Sequence, residues 1–133
     1  MSPVNVREAS EIENGVAEFA RSSNGGLIVT ASASSVVHRE LIIALAAKHK
    51  LPAVYFQPQF ATEGGLISYG SDPVEQYRRA AKYVDRILKG DKPVDLPVQA
   101  PTTYQLAINL RTAKGLGLTV PPTLVARADQ VIE

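Results

Sequence analysis

Ser34 and Ser35 lie four and three residues before His38, a spacing at which one helical turn brings a hydroxyl beside an imidazole. A serine nucleophile needs such an adjacent base. The base in turn needs a group to orient it, and no such group is evident here. The Gly-x-Ser-x-Gly elbow is also missing. These residues therefore read as a capped helix start with His38 on the helix flank. Glu11 and Glu13 fall in the first turn of a helix, where negative charge is favourable without any catalytic role. Glu40 and Glu63 stand alone in the sequence. His38 and His49, eleven residues apart, are the only histidines, and their separation is not a metal-ligand spacing. Gly25-Gly26 and Gly64-Gly65 are isolated pairs that extend to neither a dinucleotide nor a Walker pattern, and turn geometry explains both. We expect no catalytic set, no metal and no cofactor.

The loops that follow the strands remain. In an open parallel sheet, ligands bind outside the carboxyl ends of the strands. Three such ends are visible: Thr30 to Ser35, Phe56 to Phe60, and Tyr69 to Asp72. They bring hydroxyls, amides, aromatic faces and the free N–H groups of helix starts, which together suit a small zwitterion or carboxylate. The candidate ligand-binding residues are Ser32 and Ser34 as donors at a helix start, Phe56 and Gln57 as wall and polar contact, and Tyr69 and Asp72 at the third end.

The elements that position them follow from pattern. Ser10 is a plausible cap with Glu13 three residues on. Ile12, Val16, Phe19 and Ala20 then form one apolar face of a helix that ends before Asn24-Gly25-Gly26, where glycine relieves a positive φ. Leu27 to Thr30 is apolar throughout, as a strand buried on both faces reads. A small polar turn, residues 31–35, leads to a helix from about Val36 to Lys48. Pro52 stops that helix, and Ala53 to Phe56 is the next strand. Gln59 to Thr62 forms a single helical turn, and Leu66 to Gly70 a third strand. Asp72 caps the longest helix, with Pro73 in its first turn. Its apolar stripe is Val74, Tyr77, Ala81, Val84, Ile87 and Leu88, and Lys89-Gly90 closes it. Residues 91–101 carry three prolines and run extended. Tyr104 to Asn109 is a strand, Arg111 to Leu116 a short helix, and Thr123 to Ala128 a last helical turn. Strand alternating with helix across short links is the signature of an α/β fold, a parallel sheet flanked by helices.

Composition limits the partners. Hydrophobic residues make up 45% of the chain and charged residues 20%, a globular balance rather than a disordered one. The net charge of +1, with no basic cluster, gives no reason to expect nucleic acid or an anionic membrane. No cysteine is present, which removes disulfide and thiolate chemistry. No apolar run approaches the ~20 residues that span a bilayer, so no membrane insertion is expected. The start, Met1 to Asn5, does not look like a signal peptide.

Many short stretches, in order, resemble one known family. They include Gly26-Leu27-Ile28-Val29, His38-Arg39-Glu40, and Ile43 to Tyr55. Gly64 to Gly70, Tyr77 to Ala81, and Tyr83 to Gly90 follow. The last are Leu96-Pro97-Val98, Ile108-Asn109-Leu110, Thr112-Ala113-Lys114, Leu116-Gly117-Leu118, Pro121-Pro122 and Arg127-Ala128-Asp129. Together they are similar to the ABC transporter substrate-binding proteins of the tryptophan/tyrosine type, but to their C-terminal part only. The resemblance implies one lobe plus hinge-crossing segments of a type I periplasmic binding fold. Its function would be that of a substrate-binding component, or partial lobe, for uptake of amino acids or similar small organic solutes, with an ABC permease as partner. The alternative it leaves is an oligomeric structural or regulatory remnant that binds no solute. Residues 1–70 would form a second-lobe-like α/β unit. Residues 71–102 would be a helix and extended segment that pack on the first lobe, and residues 103–133 a return strand and C-terminal helical segment. Tyr69 and Asp72 would then lie near the hinge. Where this chain has Ala31-Ser32-Ala33, family members often carry an acidic residue flanked by prolines, so a charged contact to an amino group is missing here. A fragment of a full protein would be periplasmic or lipid-anchored outside the cytoplasm; a complete gene product of this length would be cytoplasmic. Without a first lobe the stripe of the helix from Pro73 to Lys89 is left exposed, and a patch of that size marks an interaction surface. The expected partner is another copy of the chain, a homo-oligomer through that helix, formed by exchange of the segment after Gly70.

Overall fold

Ser32 decides where the first helix after a strand begins. Its hydroxyl accepts from the Ser35 amide at 3.0 Å, and the helix starts at Ala33 rather than Val36. In this computed structural model, which describes residues 2–22 and 24–133, the single helix expected over residues 36–48 is two, α2 (Ala33–Val37) and α3 (Arg39–Lys48). They meet at His38, whose φ of −94° and ψ of 20° leave the helical region. The stiff β-branched pair Val36-Val37 precedes the break.

Ahead of them, α1 (Ala9–Phe19) starts two residues earlier than its capping pattern suggests. The Glu8 carbonyl accepts from the amides of Glu11 and Ile12, both at 3.2 Å. Glu8 is therefore the cap, without a side-chain bond, and Ser10 lies inside the helix. In the turn that follows, the positive φ falls on Asn24, at 60°, not on the glycines; asparagine is one of the few residues that tolerates it.

The sheet holds β1 (Leu27–Ile28), β2 (Ala53–Tyr55), β3 (Ile67–Ser71), β4 (Tyr104–Asn109) and β5 (Gln130–Ile132) in that order. Neighbours are parallel except β3 and β4, which run antiparallel from Ile67↔Ile108 to Ser71↔Tyr104. Between strands lie α4 (Pro58–Thr62), α5 (Pro73–Leu88), α6 (Leu110–Gly115) and α7 (Pro122–Val125). The extended segment after α5 contains one 3-10 turn, Pro93–Asp95. Asn109 caps α6 by accepting from the Thr112 amide at 2.9 Å, and its own amide group donates to the Ala61 carbonyl, also at 2.9 Å.

At β1 and β2 the main core cluster packs on one face, while Ile108 of β4, fully buried, points to the other by register. Ile12 and Val16 of α1, Ile42, Ile43, Leu45 and Ala46 of α3, and Phe60 of α4 pack on Ala53 and Tyr55. Leu27, Ala53, Tyr55 and Ser68 point to this face by register. Ile28 and Val54 point to the other and stand 67% and 40% exposed. The expectation that the first strand is buried on both faces is thus corrected: α1, α3 and α4 all pack on the same side of β1 and β2.

Tyr55 carries an unusual load. Its ring stacks on Phe60 with centroids 4.9 Å apart, and its hydroxyl is buried with no hydrogen-bond partner among the described residues. Burial pushes the Tyr55 phenol up from 10.0 to about 12. A group whose folded pKa is raised holds its proton longer in the native state, so its contribution is intact below pH 10 and is lost as pH rises from 10 to 12. Alkaline unfolding should therefore show a loss of about 2–3 kcal/mol across that window. Tyr55→Phe should abolish this loss and leave neutral-pH stability unchanged or slightly higher, because an unpartnered buried hydroxyl is removed. Urea titrations of both proteins at pH 7 and near pH 11 check this.

Candidate substrate-binding edge

β1, β2 and β3 are adjacent and parallel, so the backbone that leaves each strand emerges on one edge of the sheet. Ser32 and Ser34 follow β1, Phe56 and Gln57 follow β2, and Asp72 follows β3, while Tyr69 is the middle residue of that strand rather than its end. A glycine holds two of these exits together. A Cβ added to Gly70 would stand 2.0 Å from the Phe56 carbonyl oxygen, so the backbones of residues 56 and 70 abut.

The six residues are not equally free. Ser32 is committed to its cap, with its hydroxyl 2.7 Å from the Ser35 hydroxyl, which also donates to the Thr30 carbonyl at 3.1 Å. Asp72 caps α5, accepting from the Val74 amide at 2.8 Å and the Glu75 amide at 3.4 Å, so its carboxylate is engaged within the fold. Phe56 turns toward the core, its ring 5.3 Å from that of Phe60. Ser34 and Gln57 are half-buried, and neither side chain makes a hydrogen bond among the described residues. Tyr69 is 58% exposed and stacks on Tyr104, centroids 5.5 Å apart.

Tyr104 joins the candidate site through that stack, and the sequence did not single it out. In a fully parallel sheet, the first residue of a strand lies at the edge opposite the ligand. Because β4 is antiparallel to β3, its start lies beside the end of β3, with Ser71↔Tyr104 in register. Nothing in the residues around Tyr104 signals that reversal.

The serine–histidine pairing is absent. His38 Nε2 lies 3.3 Å from the Arg7 carbonyl oxygen, and the Ser35 hydroxyl is spent on Ser32 and Thr30. Glu63, which stands alone in sequence, forms an ion pair with Arg39 at 2.6 Å. Among the described residues no cluster of His, Asp or Glu could hold a metal, and no helix is long and apolar enough to cross a membrane.

Away from this edge, α5 projects as an arm. The chain after it returns along one side of the helix. Tyr83 donates to the Pro97 carbonyl at 2.6 Å, Arg79 to the Ala100 carbonyl and the Thr102 hydroxyl, and Arg86 to Asp91 at 2.7 Å. No residue of α5 is buried.

No curated protein matches the chain. Solved structures do. A conserved domain protein from Vibrio cholerae is 25% identical with a TM-score of 0.83, over 93% of this chain and 42% of that one. An ABC domain from Streptococcus pneumonia, solved in complex with L-Trp, is 26% identical with a TM-score of 0.85, over 94% and 42%. A substrate-binding protein with adhesive properties from Clostridium difficile, in its ligand-free open form, shares the fold at 17% identity and a TM-score of 0.64, over 94% and 41%. The chain thus spans less than half the length of each of these structures. The sequence pattern of ABC transporter substrate binding proteins matches residues 1–132, and this chain belongs to that family.

Proposed function

We propose that this chain is one lobe of a solute-binding component for ABC-type uptake, taking amino acids or similar small organic solutes. The observation that carries the reading is the row at the sheet edge: the Ser34 hydroxyl, the Gln57 amide and the stacked Tyr69–Tyr104 pair lie beside the exits of adjacent strands. The L-Trp complex of a relative 26% identical to this chain supports an aromatic or apolar amino acid as solute. Residues 1–70 and 103–133 supply this lobe, and residues 71–102 reach toward a first lobe. An ABC permease is the downstream partner, and the setting that goes with it is extracytoplasmic.

An open single lobe cannot exclude water from its ligand, so binding by this chain alone is weak. Calorimetry against a panel of L-amino acids should give weak heat with at least one. Gln57→Ala or Tyr104→Ala should lower it further while circular dichroism stays unchanged. No heat from a folded sample would count against solute binding by this lobe.

A second reading is favoured by α5, with Tyr77 78% and Leu88 82% exposed. In it the chain is an oligomer whose α5 face takes another copy and which binds no solute. The copies would meet by docking of their α5 faces or by exchange of the segment after Gly70.

A further inference from the structure

Val74, Tyr77, Ala81, Val84 and Leu88 are separated alternately by three and four residues, the seam spacing of helices that pair along their length. The returning segment lies along the other side of α5, bonded to Arg79, Tyr83 and Arg86. The seam is left bare: Val74 is 53%, Tyr77 78%, Val84 55% and Leu88 82% exposed. We propose that a second copy of this chain covers the seam, its α5 antiparallel to the first about a two-fold axis, in one register. Tyr77 packs on Leu88 of the second copy and Ala81 on its Val84, and symmetry repeats each pair. This deepens the reading that α5 takes another copy, and rests on it.

Charge selects the register. With Tyr77 against Leu88, the flanking Arg78 of each copy faces Asp85 of the other, while Ala80 meets Ile87 on the opposite flank. Both charged groups can turn to do so. The Arg78 side chain is 69% exposed, with Glu75 at 3.9 Å, and Asp85 is 59% exposed in its pair with Lys89. Sliding the helices until Tyr77 meets Ala81 instead sets Arg78 against Arg78. A parallel pair faces Arg78 with Pro73 and Asp85 with Ala80, which pairs no charge. Like-charge contacts and unmatched flanks disfavour both alternatives. A seam of about two heptads is short, in the small-interface class below roughly 1,200 Å², so association is weak and concentration-dependent.

Sedimentation equilibrium of the full chain, from micromolar concentrations upward, should show the mass rise from one chain toward two. Arg78→Asp and Asp85→Arg each place like charges together at both symmetric contacts and should weaken association roughly ten-fold or more. The double variant should restore it. A mixture of the two single variants should also associate, because each supplies the charge the other lacks. Circular dichroism establishes that every variant is folded. A one-chain mass at all concentrations overturns the second-copy reading itself and leaves the seam to a different polypeptide. A dimer indifferent to the charge reversals, as one held by strand exchange would be, overturns the register and leaves the second-copy reading standing.

Discussion

Gly70→Ala loses about 3 kcal/mol of stability or more, a large fraction of the marginal stability of a chain of this size. The new methyl would lie 2.0 Å from the Phe56 carbonyl oxygen and 2.9 Å from the Phe56 carbonyl carbon. These are backbone atoms, so no side chain can swing aside; β3 must move away from the exit of β2. That displacement is also functional, because Phe56-Gln57 and Tyr69 flank the contact and the row of candidate ligand groups would open. Gly115→Ala is the control. It lies in α6 with nothing within 4 Å of the added Cβ, so the smaller backbone entropy of alanine should raise stability by about 0.5–1 kcal/mol. Urea midpoints of the two variants should move in opposite directions. A Gly70→Ala midpoint at the wild-type value would show that the contact relaxes freely.

Phe60→Ala comes next in size. Phe60 is 0% exposed, stacked on Tyr55 and tilted against Phe56. Removing the ring costs its transfer free energy plus the cavity it leaves, about 3–5 kcal/mol. The aromatic geometry with Tyr55 is lost as well. A drop in melting temperature far larger than that of Val98→Ala should result, since Val98 is fully exposed at 103% and its replacement should stay within about 0.5 kcal/mol. Phe60 belongs to α4, the helix that Gln57 opens. Its loss should therefore loosen the exit of β2 before the rest of the sheet, and calorimetric heat with a solute should fall along with stability.

Periodicity located most of what carries these effects. The apolar faces of Ile12–Val16 and Ile42–Leu45, the cap at Asp72 and the span Tyr104–Asn109 all stand where spacing placed them. The failures share a cause: they depend on contacts distant in sequence. β5 is three residues long and is recognisable only through its pairing with β4. The antiparallel turn of β4, and with it Tyr104 at the candidate ligand edge, follows from how the chain returns after α5, not from any local signal. Ser32 and Asp72, candidate ligand groups, also cap helices by accepting from amides two or three residues on. Short capping residues at strand exits satisfy the same pattern as a binding loop.

β3 and β4 are neighbours, and the Asp72 amide donates to the Thr103 carbonyl at 3.0 Å where they part. Stripped of what lies between, the two strands form a plain hairpin, and α5 with its returning segment is an insert let into the turn. Loop-closure entropy grows only logarithmically, about 0.6 kcal/mol for each doubling of length. The sheet is therefore nearly indifferent to how long this insert is. Selection could lengthen, trim or resurface the arm while the register of the candidate ligand edge stays fixed.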